Sequence, residues 1–196
     1  MIVILDYGMG NLRSVERAVR HLGFDCAVQP DLAGASKLIL PGVGAFGAAM
    51  DRLRTHAGAI REFAVSGRPV MGICLGQQLL FDSSEEMGDH EGLGLIPGRV
   101  RYFPPDMGLK IPHVGWNQLR FVQPAGLGEG SRQGDQVYFV HSLYTECAKA
   151  SDVAAECDYG ITFAAAVRRD NVWGAQFHPE KSGSVGLRIL GNFLKC

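Results

Sequence analysis

The sequence predicts an α/β fold: a central, mostly parallel sheet flanked by helices, with an antiparallel β extension in the second half. Three observations lead there. Over residues 1–81, apolar strand-like runs alternate with amphipathic helical stretches, the pattern of a parallel sheet with helical crossovers. After Gly88 the pattern changes to short strand-like runs separated by turn residues, which suit antiparallel pairing. A final helical stretch covers residues 184–194.

Each element has its own reason. Residues 1–7 form a nearly continuous apolar run stopped by Gly8, as expected of a strand covered on both faces. Leu12, Val15, Ala18, Val19 and Leu22 recur at helical spacing, and Gly23 is a natural stop. Strands are expected around residues 24–28 and 37–40. Met50, Leu53, Ala57, Ile60 and Phe63 predict helical cover, broken near Gly58. Residues 69–73 read as a fourth strand and residues 75–81 as the helix after it. The later strand-like runs are 99–103, 136–144, 153–159, 162–169 and 172–177. With no repeat and no linker, one domain is expected over residues 1–196.

Composition narrows the function classes. A chain of 196 residues, 46% hydrophobic, can bury roughly 70% of its unfolded surface without staples. Lys and Arg total 19 against 20 for Asp and Glu, a net charge of −1 without a basic run, which argues against duplex binding by phosphate neutralisation. The apolar runs fall well short of the ~20 residues that span a bilayer. No basic region precedes the first run, so no signal peptide is expected. Five cysteines without a C-x-x-C pair argue against a disulfide framework and a zinc knuckle. The expectation is a reduced, cytoplasmic protein with no metal and no cofactor.

Two Gly-rich loops follow expected strands. Gly8-Met-Gly-Asn-Leu-Arg13 lacks the third glycine of the dinucleotide fingerprint, whereas Gly42-Val-Gly-Ala-Phe-Gly47 has the full spacing. The acid that fingerprint requires is not met, because Glu62 falls in a helical stretch. The second loop then either presents backbone N–H groups to an oxyanion or is an ordinary strand-to-helix turn.

Gly72-Ile-Cys-Leu-Gly76 is sharper, having the G-x-nucleophile-x-G form between an apolar strand and a helical stretch. Its alternative is a buried cysteine filling the turn. A nucleophilic cysteine needs a base and a group to orient that base. His21, His56 and His90 read as solvated, and His113 and His141 as hydrogen-bonded core residues. His178 differs, ending an apolar run and followed by Pro179 and Glu180. In an extended segment held by Pro179, Glu180 shares the face of His178 and accepts from its ring. Otherwise Glu180-Lys181 is a charged turn.

Together these residues resemble the class I glutamine amidotransferases. The resemblance rests on Pro41-Gly-Val-Gly44, Gly72-Ile-Cys-Leu-Gly76 and Phe177-His-Pro-Glu-Lys-Ser182, in that family's order. Finer matches resemble one branch, the glutaminases that serve a cyclase in histidine biosynthesis. These are Asp6-Tyr-Gly-Met-Gly-Asn11, Pro41-Gly-Val-Gly-Ala-Phe-Gly47, Cys74-Leu-Gly-Gln-Gln-Leu-Leu-Phe81, Pro112-His-Val-Gly-Trp-Asn117 and Tyr138-Phe-Val-His-Ser142.

The resemblance implies the class I glutaminase fold and hydrolysis of glutamine by a Cys74, His178, Glu180 triad. It implies oxyanion donors at Leu75, Val43 and Gly44, and glutamine contacts at Gln78, Glu86, Ser142 and Leu143. It also implies a separate (βα)8-barrel cyclase subunit as a one-to-one partner that consumes the ammonia. The cyclase makes imidazole glycerol phosphate and aminoimidazole carboxamide ribotide. Trp116, Tyr138, Lys181 and Asn11 are expected near that interface, with a cation–π contact between the Trp116 indole and a nearby ammonium such as that of Lys181. Competing readings are a glutaminase serving another synthase and a non-catalytic scaffold that kept the fold.

Overall fold

Alternate side chains of a strand point to opposite faces, so an unbroken apolar run must be covered on both sides. That is how the first half of the chain is built in the computed structural model, which describes residues 1–123 and 125–196. The elements run β1 (Ile2–Leu5), α1 (Leu12–His21), β2 (Cys26–Gln29), β3 (Lys37–Gly42), α2 (Phe46–Leu53), α3 (Ala57–Val65), β4 (Val70–Cys74) and α4 (Leu75–Leu79). There follow β5 (Phe81–Ser84), β6 (His90–Glu91), β7 (Ile96–Tyr102), β8 (His113–Gln118), β9 (Arg120–Phe121), β10 (Gln136–His141) and β11 (Leu143–Cys147). The chain closes with β12 (Val153–Tyr159), β13 (Ile161–Arg169), β14 (Val172–Ala175) and α5 (Gly183–Lys195).

The main sheet is eight-stranded, ordered β2-β1-β3-β4-β14-β13-β12-β9. Strands β2, β1, β3, β4 and β14 are parallel, and β13, β12 and β9 continue antiparallel. The last strand in sequence, β14, therefore sits inside the sheet, between β4 and β13. Ile2, Ile4, Ile39 and Ile73 pack on one face with Val15 and Val19 of α1 and Ile189, Leu190 and Phe193 of α5. Val3, Leu5, Leu38 and Leu40 pack on the other with Phe46 and Leu53 of α2 and Ile60 and Phe63 of α3. Each such side chain contributes about 1.5–3 kcal/mol on burial. The outward Glu16–Arg20 pair of α1, at 3.1 Å, adds only a few tenths, so the buried stripe decides where the helix lies.

Two smaller sheets carry the rest: β10 with β8, and β11-β7-β5-β6. They depart from the sequence expectation in several places, among them β6 over His90–Glu91, where no strand is expected, and β7, which starts at Ile96 and not at residue 99. The helix expected over residues 75–81 ends at Leu79, and Phe81 starts a strand. Tertiary pairing overrides helical propensity here, because Leu80 O accepts from Leu95 N at 2.8 Å and Ile96 N at 3.0 Å. The run 136–144 divides at Ser142, with β10 pairing β8 and β11 pairing β7. Strand β8 was not expected, since its apolar Val114 and Trp116 face outward, each 55% exposed. The break expected near Gly58 falls just before it, between α2 and α3.

Candidate active site

Cys74 is the last residue of β4 and stands at φ +56, ψ −113 at the entry to α4. A non-glycine residue held in that region stores strain and turns its side chain out of the sheet. The flanking glycines make the turn feasible. A Cβ on Gly72 would lie 2.4 Å from Gly76 O, and one on Gly76 would lie 1.8 Å from Leu40 O. Only a bare backbone fits at either position. Cys74 Sγ donates to Val140 O at 3.8 Å and accepts from Gln176 Nε2 at 3.9 Å.

His178 reaches the same place from the neighbouring strand. Strands β4 and β14 are parallel with Ile73 opposite Ala175, so both chains leave the sheet at one level. His178 is buried and backbone-extended, at φ −96, ψ 97. Its Nδ1 lies 2.9 Å from Glu180 Oε1. The expected extended segment is not what brings them together: Pro179–Lys181 forms a single 3-10 turn. Proline at the first position of a helical turn has the right φ and loses no hydrogen bond, so it bends the segment here. His178 N donates to Tyr138 O at 3.0 Å, and Ser182 Oγ donates to His178 O at 2.6 Å.

Burial pulls the His178 imidazolium down. Hydrogen bonds and charges from Cys74 and Glu180 more than offset it, and the pKa rises to about 9. Buried Tyr7, which donates to Pro41 O at 2.8 Å, has its pKa raised by desolvation and by Cys74. Cys74 and His178 line a cavity of about 320 Å³. Glu180 stands behind the His178 ring, outside that lining.

Residues 3–196 match the sequence profile of the family described as glutamine amidotransferase class-I. The chain belongs to the class I glutamine amidotransferases. It is 55% identical over 204 residues to "Imidazole glycerol phosphate synthase subunit HisH" of Syntrophotalea carbinolica, covering 98% of each chain. It is 50% identical over 198 residues to the protein of the same name from Methanosarcina barkeri, covering 98% of this chain and 97% of that one. A solved structure described as a glutamine amidotransferase shares the fold, with a TM-score of 0.77 at 20% identity over 99% of this chain and 97% of that one.

In this glutamine amidotransferase the cavity gathers most of the residues singled out by sequence. Val43, Gly44, Leu75, Gln78, Glu86, Ser142, Leu143 and Lys181 all line it with Cys74 and His178. Gly44 holds φ +101. Gln78 Nε2 donates to Leu143 O at 3.3 Å and Gln176 Oε1 at 3.0 Å. Glu86 accepts from Phe46 N at the start of α2.

The residues expected at an interface lie apart from that lining, except Lys181. Asn11 precedes α1, and its carbonyl accepts from Val15 N at 3.3 Å. Trp116 and Tyr138 are opposite each other across β8 and β10 and pack edge-on, with ring centroids 6.1 Å apart. The expected Trp116–Lys181 cation–π contact is not among the cation–π contacts of the described residues, which pair Lys37, Arg68 and Arg168 with Phe193, Phe63 and Trp173. The indole finds its aromatic neighbour within its own sheet instead. His113 and His141 are buried and hydrogen-bonded to each other, as expected of core histidines.

Sequence reasoning gave no site role to Pro112, Val140, Gln176 or Ser182, and it placed His141 in the core without placing it at the cavity. Pro112, Val140 and His141 line the cavity, Gln176 touches Cys74, and Ser182 clamps the His178 turn. Only Ser182 had a local signal, as a hydroxyl four residues after His178.

Proposed function

We propose that this chain is the glutaminase subunit of an imidazole glycerol phosphate synthase, a single domain over residues 1–196 acting in the cytoplasm. It hydrolyses L-glutamine to glutamate and ammonia. The ammonia passes to a (βα)8-barrel cyclase in a one-to-one pair, which makes imidazole glycerol phosphate and aminoimidazole carboxamide ribotide for histidine biosynthesis. The observation that carries this reading is the convergence of Cys74 and the His178–Glu180 pair from adjacent parallel strands at one cavity. The extent of identity to two subunits of that synthase supports the choice of partner.

His178 takes the Cys74 proton, and Glu180 stabilises the imidazolium that results. The thiolate attacks the carboxamide carbon of glutamine. Leu75 is the first residue of α4, so its N–H has no acceptor within the helix and is free for the oxyanion. The Val43–Gly44 loop supplies a second donor, each worth about 3 kcal/mol. His178 gives its proton to the departing ammonia, then takes one from the water that cleaves the glutamyl thioester. The Gln78 carbonyl oxygen and Glu86 receive the substrate ammonium, and the backbone of Ser142 and Leu143 meets its carboxylate.

Ammonia released into neutral water becomes unreactive ammonium, so a mouth against the partner is required. Asn11, Trp116, Tyr138 and Lys181 are assigned to that side, where Val114 and Val140 are also exposed. The deciding experiment mixes this chain with a (βα)8-barrel cyclase. Glutamine-dependent product should appear on mixing, and Cys74→Ala should abolish it while sparing ammonia-dependent synthesis. Equal loss of both activities would make Cys74 structural.

A further inference from the structure

Two buried histidines have no part in that mechanism. His113 on β8 and His141 at the end of β10 are opposite each other, 3% and 6% exposed. His113 Nδ1 and His141 Nε2 are 2.9 Å apart. Their neighbours decide which atoms carry protons. His141 Nδ1 lies 2.7 Å from Leu143 O, which only accepts, so Nδ1 donates and Nε2 accepts. His113 Nδ1 therefore donates to His141. His113 Nε2 accepts from Asn117 Nδ2 at 3.3 Å, and that amide also donates to Asp158 O at 3.0 Å. Three hydrogen bonds thus run in one direction and end on the Leu143 carbonyl.

The rings are fixed in place and in charge. His113 stacks between Tyr159 and Phe139, at centroid distances of 3.9 and 4.7 Å. Desolvation holds His113 down to about 4 and His141 to about 3, so both are neutral at physiological pH. Leu143 O also accepts from Gln78 Nε2, which occupies both its lone pairs. Ser142 O is taken by Phe103 N at 3.4 Å. The Ser142–Leu143 strap lines the cavity with its carbonyls already engaged, and donors are what its backbone has left for a ligand.

We infer that His113 and His141 are positioning residues that hold the Ser142–Leu143 strap as a donor edge, so that the site selects ligands carrying a free α-carboxylate. The inference rests on the glutaminase reading and adds to it the device that sets substrate preference. A carboxylate offers charged acceptors to such an edge, whereas an α-amide brings one neutral acceptor and donors that find no partner.

The test uses the complex with the cyclase and two probes, L-glutamine and its α-amide. His113→Phe keeps an aromatic ring between Tyr159 and Phe139 but cannot donate to His141. It should raise KM for glutamine about tenfold with kcat within about threefold, and lower the preference for glutamine over its α-amide about tenfold. His141→Asn, whose amide still donates to Leu143 O, should keep more of that preference than His141→Ala. This pair decides the matter if His113→Phe does not fold. Unchanged KM and preference in His113→Phe, or equal losses in His141→Asn and His141→Ala, would overturn the inference alone. A wild-type complex that hydrolyses no glutamine would overturn the glutaminase reading together with it.

Discussion

Gly76 presses on Leu40 so closely that a Cβ at Gly76 would lie 1.8 Å from the Leu40 carbonyl oxygen. The start of α4 therefore rests directly on β3, and this contact sets the height of Cys74 above the sheet. The obstacle is backbone, which cannot swing aside as a side chain would. Gly76→Ala should lower unfolding free energy by about 3 kcal/mol, the upper range for overpacking. Urea denaturation checks this, and a loss under about 1 kcal/mol would show that β3 yields.

The strain at Cys74 gives a second expectation. Glycine tolerates φ +56 where alanine does not. Cys74→Gly should be about 1 kcal/mol more stable than Cys74→Ala, although neither hydrolyses glutamine. Equal denaturation midpoints would mean that the elbow is relaxed.

The third expectation concerns pH. His178 holds its proton more tightly folded than unfolded, with its pKa raised from 6.5 to about 9. A group shifted in that direction stabilises the fold fully below its unfolded pKa and loses the effect as pH rises through the folded one. The wild-type protein should therefore lose on the order of 1–3 kcal/mol between about pH 6.5 and about pH 9. Glu180→Gln should lose less, because one charged partner of the imidazole is gone. Parallel denaturation curves for the two proteins at each pH would refute the pairing. In activity, Glu180→Gln should be about 50-fold less damaging than His178→Ala, since it removes only the orienting charge.

The fourth concerns coupling to the partner. Trp116 is 55% exposed, so Trp116→Ala should change stability by less than about 1 kcal/mol. Together with Lys181→Ala, it should uncouple glutamine hydrolysis from cyclisation. Tyr138 links the two regions, as its ring packs on Trp116 and its carbonyl holds His178 N. The measurement is the ratio of glutamate to imidazole glycerol phosphate in the reconstituted complex. A ratio near one in both variants at normal rates would dismiss the gating role and leave the triad assignment untouched.

Strands β1, β3 and β4 were legible because each is an apolar run whose meaning is local, and α1 because its stripe repeats at helical spacing. Strand β8 was not, because its inward positions are His113, Gly115 and Asn117 while Val114 and Trp116 face out. That inverts the pattern a sheet shows when its own core is its only apolar neighbour. Cys74 stood out through a motif dictated by backbone geometry; His178 stood out beside Pro179 and Glu180, although a 3-10 turn and not the expected extended segment brings its ring to Glu180. The contacts of Gln176 with Cys74 and of His113 with His141 join residues 102 and 28 positions apart, and no local pattern announces such pairs.

The place of β14 has a consequence in time. Among the described strands it comes last in sequence, yet it lies between β4 and β13, and the turn after it carries His178 to the cavity that Cys74 lines. A nascent chain lacking it has a nucleophile with no base and a sheet divided in two. Contacts between such distant segments close late. On the triad proposed above, glutamine is therefore safe from chains not yet extended past β14: base and nucleophile meet only once that strand has slotted into the middle of the sheet.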